Sequence, residues 1–379
     1  MSDIYADIRP YNDTEVGAVI ERLLADGEFI TTVAGFRLPR LTQFLPWAVL
    51  PVARRVLRRE LAQVEDVASM QRVIKFYMDR MIATTSSGFS CSGLERLAPD
   101  KAHLFMSNHR DIAMDPAFTN YALFKAQRDT VRIAIGDNLL TKPWVSDLMR
   151  LNKSFIVERS ATAPRQMLKA FRKLSAYIAH SIQEDNAPIW IAQREGRAKD
   201  GVDHTEPALI KMLAMNKRKG QALGDYLASL RLVPMAISYE LDPCDARKAA
   251  ELSAIARDGQ YHKSQHEDVL SIGAGITGDK AHVHVAFGTP LAGEYADAEA
   301  VAAEVDRQVL ALYRLHPTNL YAYEMLYGEP ARLPASVEVA EGDCSKAQFE
   351  ARILAMPEAD RPFALANYAN AVVAKLEAA

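Results

Sequence analysis

An alternation of short apolar runs with helical patterns constrains this chain more than any other feature. Runs at 103–107, 131–135, 154–157, 188–192, 232–238 and 282–287 are each of strand length, and helical patterns separate most of them. The clearest helical pattern covers 161–182, where Met167, Phe171, Leu174, Ile178 and Ile182 recur at spacings of four, three, four and four. Ser160 stands where it can cap that helix. Strand–helix alternation builds an α/β domain, because each crossover helix lets the next strand run parallel to the last. Ahead of these runs, Val67, Met70, Ile74, Tyr77, Met78 and Met81 mark an amphipathic helix over 64–82. Beyond Pro290 the pattern is helical again, over 297–313 and in two helices after Ser345. The expected fold is α/β: a mixed, largely parallel sheet flanked by helices, with helical N-terminal and C-terminal extensions. The domain limits read from this pattern are 1–85, 86–295 and 296–379.

Composition narrows the function classes. The 379 residues are 49% hydrophobic and 25% charged, enough for a buried core, with a net charge of only −3. No overall field demands nucleic acid as a partner. Cys91, Cys244 and Cys344 are odd in number and far apart, which suits a reducing compartment. The first twenty residues lack the basic-then-apolar order of a signal peptide. The longest apolar run, 44–53, is ten residues, against about 20 for a membrane span.

One stretch departs from this even charge. Arg37, Arg40, Arg54, Arg55, Arg58 and Arg59 fall in a window without a carboxylate, interleaved with Phe36, Leu41, Phe44, Leu45 and Trp47. Arginines beside a large apolar face suit the surface of an anionic membrane. The other reading is a short helical pair that packs on the main domain and solvates its basic face. Pro39, Pro46 and Pro51 argue against one clean amphipathic helix.

Two loops carry the candidate chemistry. The segment Ser107-Asn108-His109-Arg110-Asp111-Ile112-Ala113-Met114-Asp115-Pro116 follows one strand and precedes a helix. Pro116 suits the first helical position, which makes Asp115 the expected N-cap and 109–114 a loop at the strand's carboxyl end. Ligands bind there in open α/β sheets. Six residues on a helix would turn His109 and Asp115 about 240° apart, so they meet only if the loop folds back. Should they meet, Asp115 fixes the tautomer of a general base. Should they not, Asp115 is a cap and His109 a surface histidine. The second loop is Gln193-Arg194-Glu195-Gly196-Arg197-Ala198-Lys199-Asp200-Gly201. Gly196 lets the backbone approach a ligand. Arg197 and Lys199, with Arg194 nearby, either hold a phosphate or form a solvated turn. Arg159, at the end of the run 154–157, could reach the same cleft. His282 and His284 share a strand face but lack a third ligand at a supporting spacing.

In this order, the segments resemble the glycerolipid acyltransferases, which acylate glycerol 3-phosphate or 1-acylglycerol 3-phosphate. The first family block is similar to Asn108-His109…Asp115-Pro116, and the second to Phe155-Ile156-Val157-Glu158-Arg159. Glu195-Gly196-Arg197 resembles the third block, and Val233-Pro234-Met235-Ala236-Ile237 the fourth. The likeness runs from about Gly93 to Leu291. Five residues separate His109 from Asp115 where the family has four, so Asp111 competes as the carboxylate partner; Asp115, held at the loop's end by Pro116, is expected to win. The Arg197-x-Lys199 pair looks more like the branch that acylates glycerol 3-phosphate.

The resemblance implies an O-acyltransferase of phospholipid biosynthesis. Its donor would be acyl-CoA or acyl carrier protein, and its acceptor 1-acylglycerol 3-phosphate or, alternatively, glycerol 3-phosphate. His109 and Asp115 would be catalytic; Asn108, Arg159, Glu195, Gly196, Arg197 and Lys199 would bind substrate. No metal or cofactor is implied. The expected location is the cytoplasm, peripheral on the inner face of an anionic membrane. Two alternatives stand beside it: a hydrolase with His103, His109, Asp111 and Asp115 as metal ligands, and a non-catalytic membrane-surface adaptor.

Overall fold

The computed structural model describes residues 3–160, 163–264 and 267–378. Its first helices are α1 (Asp13–Ala25), α2 (Gly27–Arg37), α3 (Pro39–Phe44), α4 (Pro46–Leu61) and α5 (Val67–Thr85). There follow β1 (Gly88–Ser92), β2 (Leu104–Ser107), α6 (Met114–Lys125), β3 (Arg132–Gly136), α7 (Pro143–Leu151) and β4 (Ser154–Val157). Next come α8 (Pro164–Gln183), β5 (Ile189–Ala192), α9 (Pro207–Leu213), α10 (Leu223–Ser229) and β6 (Leu232–Tyr239). The chain ends with α11 (Asp245–Asp258), α12 (Glu267–Thr277), β7 (His282–Phe287), α13 (Ala298–Leu312), α14 (Pro317–Tyr327), α15 (Lys346–Leu354) and α16 (Arg361–Glu377). Two compact units result. One holds the chain up to Tyr77 with Arg132–Tyr177, the other Met78–Val131 with the chain from Ile178 onward.

In the first unit, Val16, Val19, Ile20, Leu23 and Leu24 fall on one face of α1 and pack with Phe29, Ile30, Leu57, Val64, Met70 and Leu151. Strands β3 and β4 pair in parallel, from Ile133↔Ser154 to Gly136↔Val157. The basic stretch folds as the two helices α3 and α4. Pro46 opens α4, where a missing N–H costs nothing, and the helix continues through Pro51. Phe44, Trp47 and Val52 are 73%, 77% and 62% exposed, so the apolar side chains of this stretch do not all turn inward. The arginines are less free than the sequence implies: Arg37 pairs with Glu60 at 2.8 Å and Arg58 with Glu21 at 3.6 Å.

Ser160 does not cap α8. Its hydroxyl donates to Asp137 Oδ2 (2.5 Å), which also accepts its backbone N–H (3.1 Å). The helix begins at Pro164; of the expected helical span, residues 161 and 162 lie outside the described residues.

In the second unit the strands run in the order β1-β7-β6-β2-β5. All of these ladders are parallel except β6–β7. With β3–β4, the strands are mixed and largely parallel, and helices flank them, as the alternation of the sequence requires. Every residue of β6 is buried, as in a central strand covered on both faces.

The sequence pattern missed β1, whose Gly-Phe-Ser-Cys-Ser carries no apolar run. Its serines have a specific use. His284 on β7 lies between them, with Nδ1 2.7 Å from Ser90 Oγ and Nε2 3.0 Å from Ser92 Oγ. Both ring nitrogens are thereby occupied, which removes His284 from any metal set.

Burial holds the His284 and His103 imidazoles at about 4, with nearby arginines adding to the effect. The unfolded chain takes up these protons near 6.5. As pH falls from about 6.5 toward 4, the unfolded state therefore binds protons that the folded state refuses, and stability declines. The melting temperature should be lower at pH 5 than at pH 7, and His284→Gln should shrink that difference. Calorimetry at the two pH values checks this; an unchanged difference would remove His284 as a cause.

Candidate active site

Parallel pairing brings the carboxyl ends of β2 and β5 side by side, since Ser107 is in register with Ala192, and β6 runs on four residues past them from Met235, the other partner of Ser107. The loop after β2 and the loop after β5 therefore leave the same edge. Backbone hydrogen bonds continue the alignment past the strands. Gln193 N–H donates to Ser107 O, and Ala198 N–H donates to His109 O, each at 2.8 Å.

The first loop does fold back. His109 Nδ1 lies 2.8 Å from Asp115 Oδ2. That same oxygen accepts the backbone N–H groups of Arg110 (2.6 Å) and Asp111 (3.0 Å), while Oδ1 accepts the Tyr239 hydroxyl (2.7 Å). Asp115 is fully buried. A carboxylate can only accept, so Nδ1 carries the hydrogen and Nε2 keeps the lone pair. The ring itself is 14% exposed and stands edge-on to Trp190, centroids 5.7 Å apart. Burial, reinforced by the Asp115 charge, pushes the Tyr239 phenol well above its ordinary value and keeps it a donor.

Asp115 is not the cap of α6. It lies in the helix's first turn, where the free N–H groups and the dipole favour an anion. Asp111 does the capping, with Oδ1 accepting from Ala113 N–H (3.0 Å) and Met114 N–H (2.9 Å). The two carboxylates thus divide their work: Asp115 holds the imidazole and Asp111 the helix end.

Several expected substrate contacts are occupied by the protein itself. Asn108, fully buried, pairs with β6 by accepting from Ile237 N–H (2.8 Å) and donating to Ile237 O (3.0 Å). Its second amide hydrogen goes to Asp203 (3.2 Å). The Asn108 amide thus has its hydrogen bonds met within the protein. Lys199 forms an ion pair with Glu251 on α11. Arg159 belongs to the other unit, where its backbone N–H donates to Asp137. Glu195 and Gly196 are exposed at the tip of the second loop. Gly196 sits there at φ +75°, a left-handed turn that glycine adopts without strain.

Arg197 keeps a donor in reserve. Its Nη2 donates to Ser271 Oγ on α12 at 3.4 Å, while its buried Nη1 has no partner among the described residues.

Arg110, Asp203, Tyr239 and Tyr313 escaped the sequence reading. Arg110 donates to Asp203 at 2.7 Å and to Gly201 O at 3.2 Å, and lies 5.2 Å from the centre of the Tyr313 ring. Burial opposes its charge, but Asp203 and then Tyr313 hold the guanidinium above its ordinary value. For Tyr239 a signal did exist, its place at the carboxyl end of a buried strand. The other three sit in polar or helical context that carries none.

The metal-ligand alternative fails on geometry. His103 precedes β2 and stacks near Phe105 (5.8 Å), whereas His109 follows the strand's opposite end. Among the described residues no group of three or more His, Cys, Asp or Glu could hold a metal ion.

With Lys199 serving as a strut, Lys199→Met should lower the melting temperature by several degrees, because Glu251 is left buried without its partner. Thermal denaturation of the variant checks this. An unaltered melting temperature would show that the pair does not stabilise the fold.

Residues 88–237 match the acyltransferase family. No curated protein sequence matches the chain. Among solved structures, the 1-acyl-sn-glycerophosphate acyltransferase PlsC of Thermotoga maritima is similar at 12% identity, with 75% of this chain and 92% of that one covered and a TM-score of 0.38. Likeness at that level carries no argument for function. The family match spans both loops, with His109, Asp115 and Arg197 inside it. The stretch 88–237 is an acyltransferase domain, and the enzyme that carries it is an acyltransferase.

Proposed function

We propose that this enzyme moves a fatty acyl group from acyl-CoA or acyl carrier protein to a glycerol-phosphate acceptor, 1-acylglycerol 3-phosphate, in phospholipid biosynthesis. The observation that carries the reading is the 2.8 Å contact of His109 Nδ1 with Asp115 Oδ2, which in the neutral ring leaves Nε2 as the accepting nitrogen. Arg197, on the loop after β5, has a donor without a partner among the described residues. The acceptor hydroxyl gives its proton to Nε2, and its oxygen attacks the thioester carbonyl. The tetrahedral intermediate collapses, the C–S bond breaks, and the imidazolium returns the proton to the thiolate. Asp115 stabilises the transient cation without taking a proton. Acyl transfer is direct, with no acyl-enzyme. Arg197 Nη1 holds the acceptor phosphate and so fixes the hydroxyl near the base; such positioning can supply ~7–11 kcal/mol. The loss of Lys199 to Glu251 weakens the case for glycerol 3-phosphate, which rested on the paired basic residues.

A donor-by-acceptor panel read by free thiol release tests this. Thiol should appear with 1-acylglycerol 3-phosphate well above glycerol 3-phosphate. His109→Ala should lower the rate by ~10²–10⁴-fold while the protein stays folded. A variant that keeps a tenth of the rate would show that His109 is not the base. No thiol release with any donor would favour the adaptor.

The substrates of this reading are lipids, and among the described residues no helix is long and apolar enough to cross a membrane. The enzyme would therefore dock from one side, at the cytoplasmic face where thioester donors are made. The exposed Phe44, Trp47 and Val52, with the exposed Arg54, Arg55 and Arg59, fit an anionic bilayer surface. Each basic residue near such a surface adds ~1 kcal/mol. Binding to anionic vesicles should weaken as salt rises and fall further when Arg54, Arg55, Arg58 and Arg59 are together changed to Ala. Co-sedimentation unaltered by the four changes would leave α3 and α4 a packing element only.

A further inference from the structure

The segment between β6 and β7 lies beyond the family match, yet it touches both loops of the site. Gly275 of α12 approaches Asp111 so closely that an added Cβ would collide with the carboxylate. The Cys244 thiol, at the start of α11, donates to Ser271 O (3.5 Å) and lies 3.9 Å from Asp111 Oδ2. Burial pushes that thiol up to about 12, so it remains a neutral donor. Glu251 of α11 takes Lys199, and Ser271 of α12 takes Arg197. Arg197 and Lys199 of the second loop are therefore each met by one helix of this segment.

The consequences for the cations differ. Lys199 is matched by a full charge. Arg197 is met by a neutral hydroxyl on Nη2, and its Nη1 has no hydrogen-bond partner among the described residues. Ser271 is 1% exposed, so its hydroxyl is fixed by the helix and cannot swing to solvent. Next to Arg197, Ala198 N–H is bonded to the carbonyl of His109 itself. The loop that carries Arg197 is thus tied directly to the loop that carries His109.

We propose that Ser271 is the positioning residue that aims Arg197 at the acceptor phosphate, so that α12 makes this enzyme selective for a phosphorylated acceptor. The proposal rests on the phosphate-acceptor reading above. The hydroxyl holds one edge of the guanidinium, and the free edge then points where the phosphate must be. Without the hydroxyl, the guanidinium can rotate and the phosphate is held in more than one place.

The test is steady-state kinetics of the full chain with two acceptors, 1-acylglycerol 3-phosphate and the phosphate-free 1-acylglycerol of the same chain length. Ser271→Thr and Ser271→Val differ by a hydroxyl against a methyl at nearly equal volume, so packing damage is common to both. Relative to Ser271→Thr, Ser271→Val should raise the KM for the phosphorylated acceptor by about fivefold to tenfold. The kcat should change far less, and the phosphate-free acceptor should not distinguish the two variants. Arg197→Ala is run alongside. If it raises that KM while Thr and Val behave alike, Ser271 does not position Arg197 and the proposal is overturned with the acceptor reading intact. If Arg197→Ala leaves the KM unaltered, the phosphate reading itself falls, and the proposal with it. Equal losses of kcat on both acceptors in Ser271→Val would mean that the residue only supports the fold.

Discussion

A buried carboxylate is costly unless every lone pair is used, and Asp115 meets that condition by gathering parts from across the second unit. It draws two backbone N–H groups from the loop after β2, an imidazole from the same loop and a phenol from the end of β6. None of these donors could be withdrawn without leaving negative charge unpaired in the interior. The loop must therefore fold back, α6 must start where it does, and β6 must run past the end of β2 to bring Tyr239 into place. The tautomer of His109 is a by-product of the same requirement. What orients the imidazole is the need of Asp115 for hydrogen bonds.

Asp111 extends the arrangement outward. Burial, joined by repulsion from Asp115, raises the pKa of its carboxyl, yet its Oδ1 still accepts two backbone N–H groups at the start of α6. Its other oxygen faces Gly275, where no side chain would fit. The glycine in α12 is thus explained by a close approach and not by a turn. Helix propensity is lost at that position, since Gly costs about 1 kcal/mol against Ala in a helix, and the gain is a tight wall behind the loop.

The strands were the most legible part of the chain, because a buried strand must be apolar and short. The runs 154–157 and 282–287 coincide with β4 and β7, and the others agree within a residue or so. Caps were less legible. Asp115 and Ser160 both stand where caps belong, but each side chain has a partner distant in sequence or a different local use, and a sequence window cannot weigh these. The Asp297 cap, which accepts from Ala300 N–H at 2.8 Å, and the Ser345 cap, which accepts from Gln348 N–H at 3.4 Å, have no such competition and lie where the pattern put them. The phosphate set shows the same limit. Arg197 and Lys199 are alike in sequence context, and only the structure shows that Lys199 pairs with the carboxylate of Glu251, fifty-two residues away, while Arg197 meets a hydroxyl. The helices α11, α12 and α14 lacked clear periodicity because their buried faces are polar as often as apolar, with Lys248, Glu251, Ser271, Thr318 and Asn319 all buried.

Those buried polar faces explain why the enzyme needs its C-terminal helices. Just past Tyr239, Asp242 pairs with Lys248 and accepts from Asn367 at 3.0 Å, while its backbone N–H donates to the Tyr368 hydroxyl at 2.9 Å. That hydroxyl in turn donates to Asp245 Oδ2 (2.7 Å), which Arg352 also meets at 2.6 Å. Burial, then Asp245, pushes the Tyr368 phenol well above its ordinary value, so it stays a donor. The helix that carries Asn367 and Tyr368 also backs the second loop: Asn370 donates to Asp200 O at 2.8 Å, and Gly201, at φ +78°, lies against the carbonyl of Asn367 with no room for a Cβ. α16 therefore grips both the end of β6 and the loop after β5. Since Tyr239 reaches Asp115 from that strand end and Arg197 stands on that loop, one C-terminal helix braces both the strand end that helps orient His109 and the loop that carries Arg197.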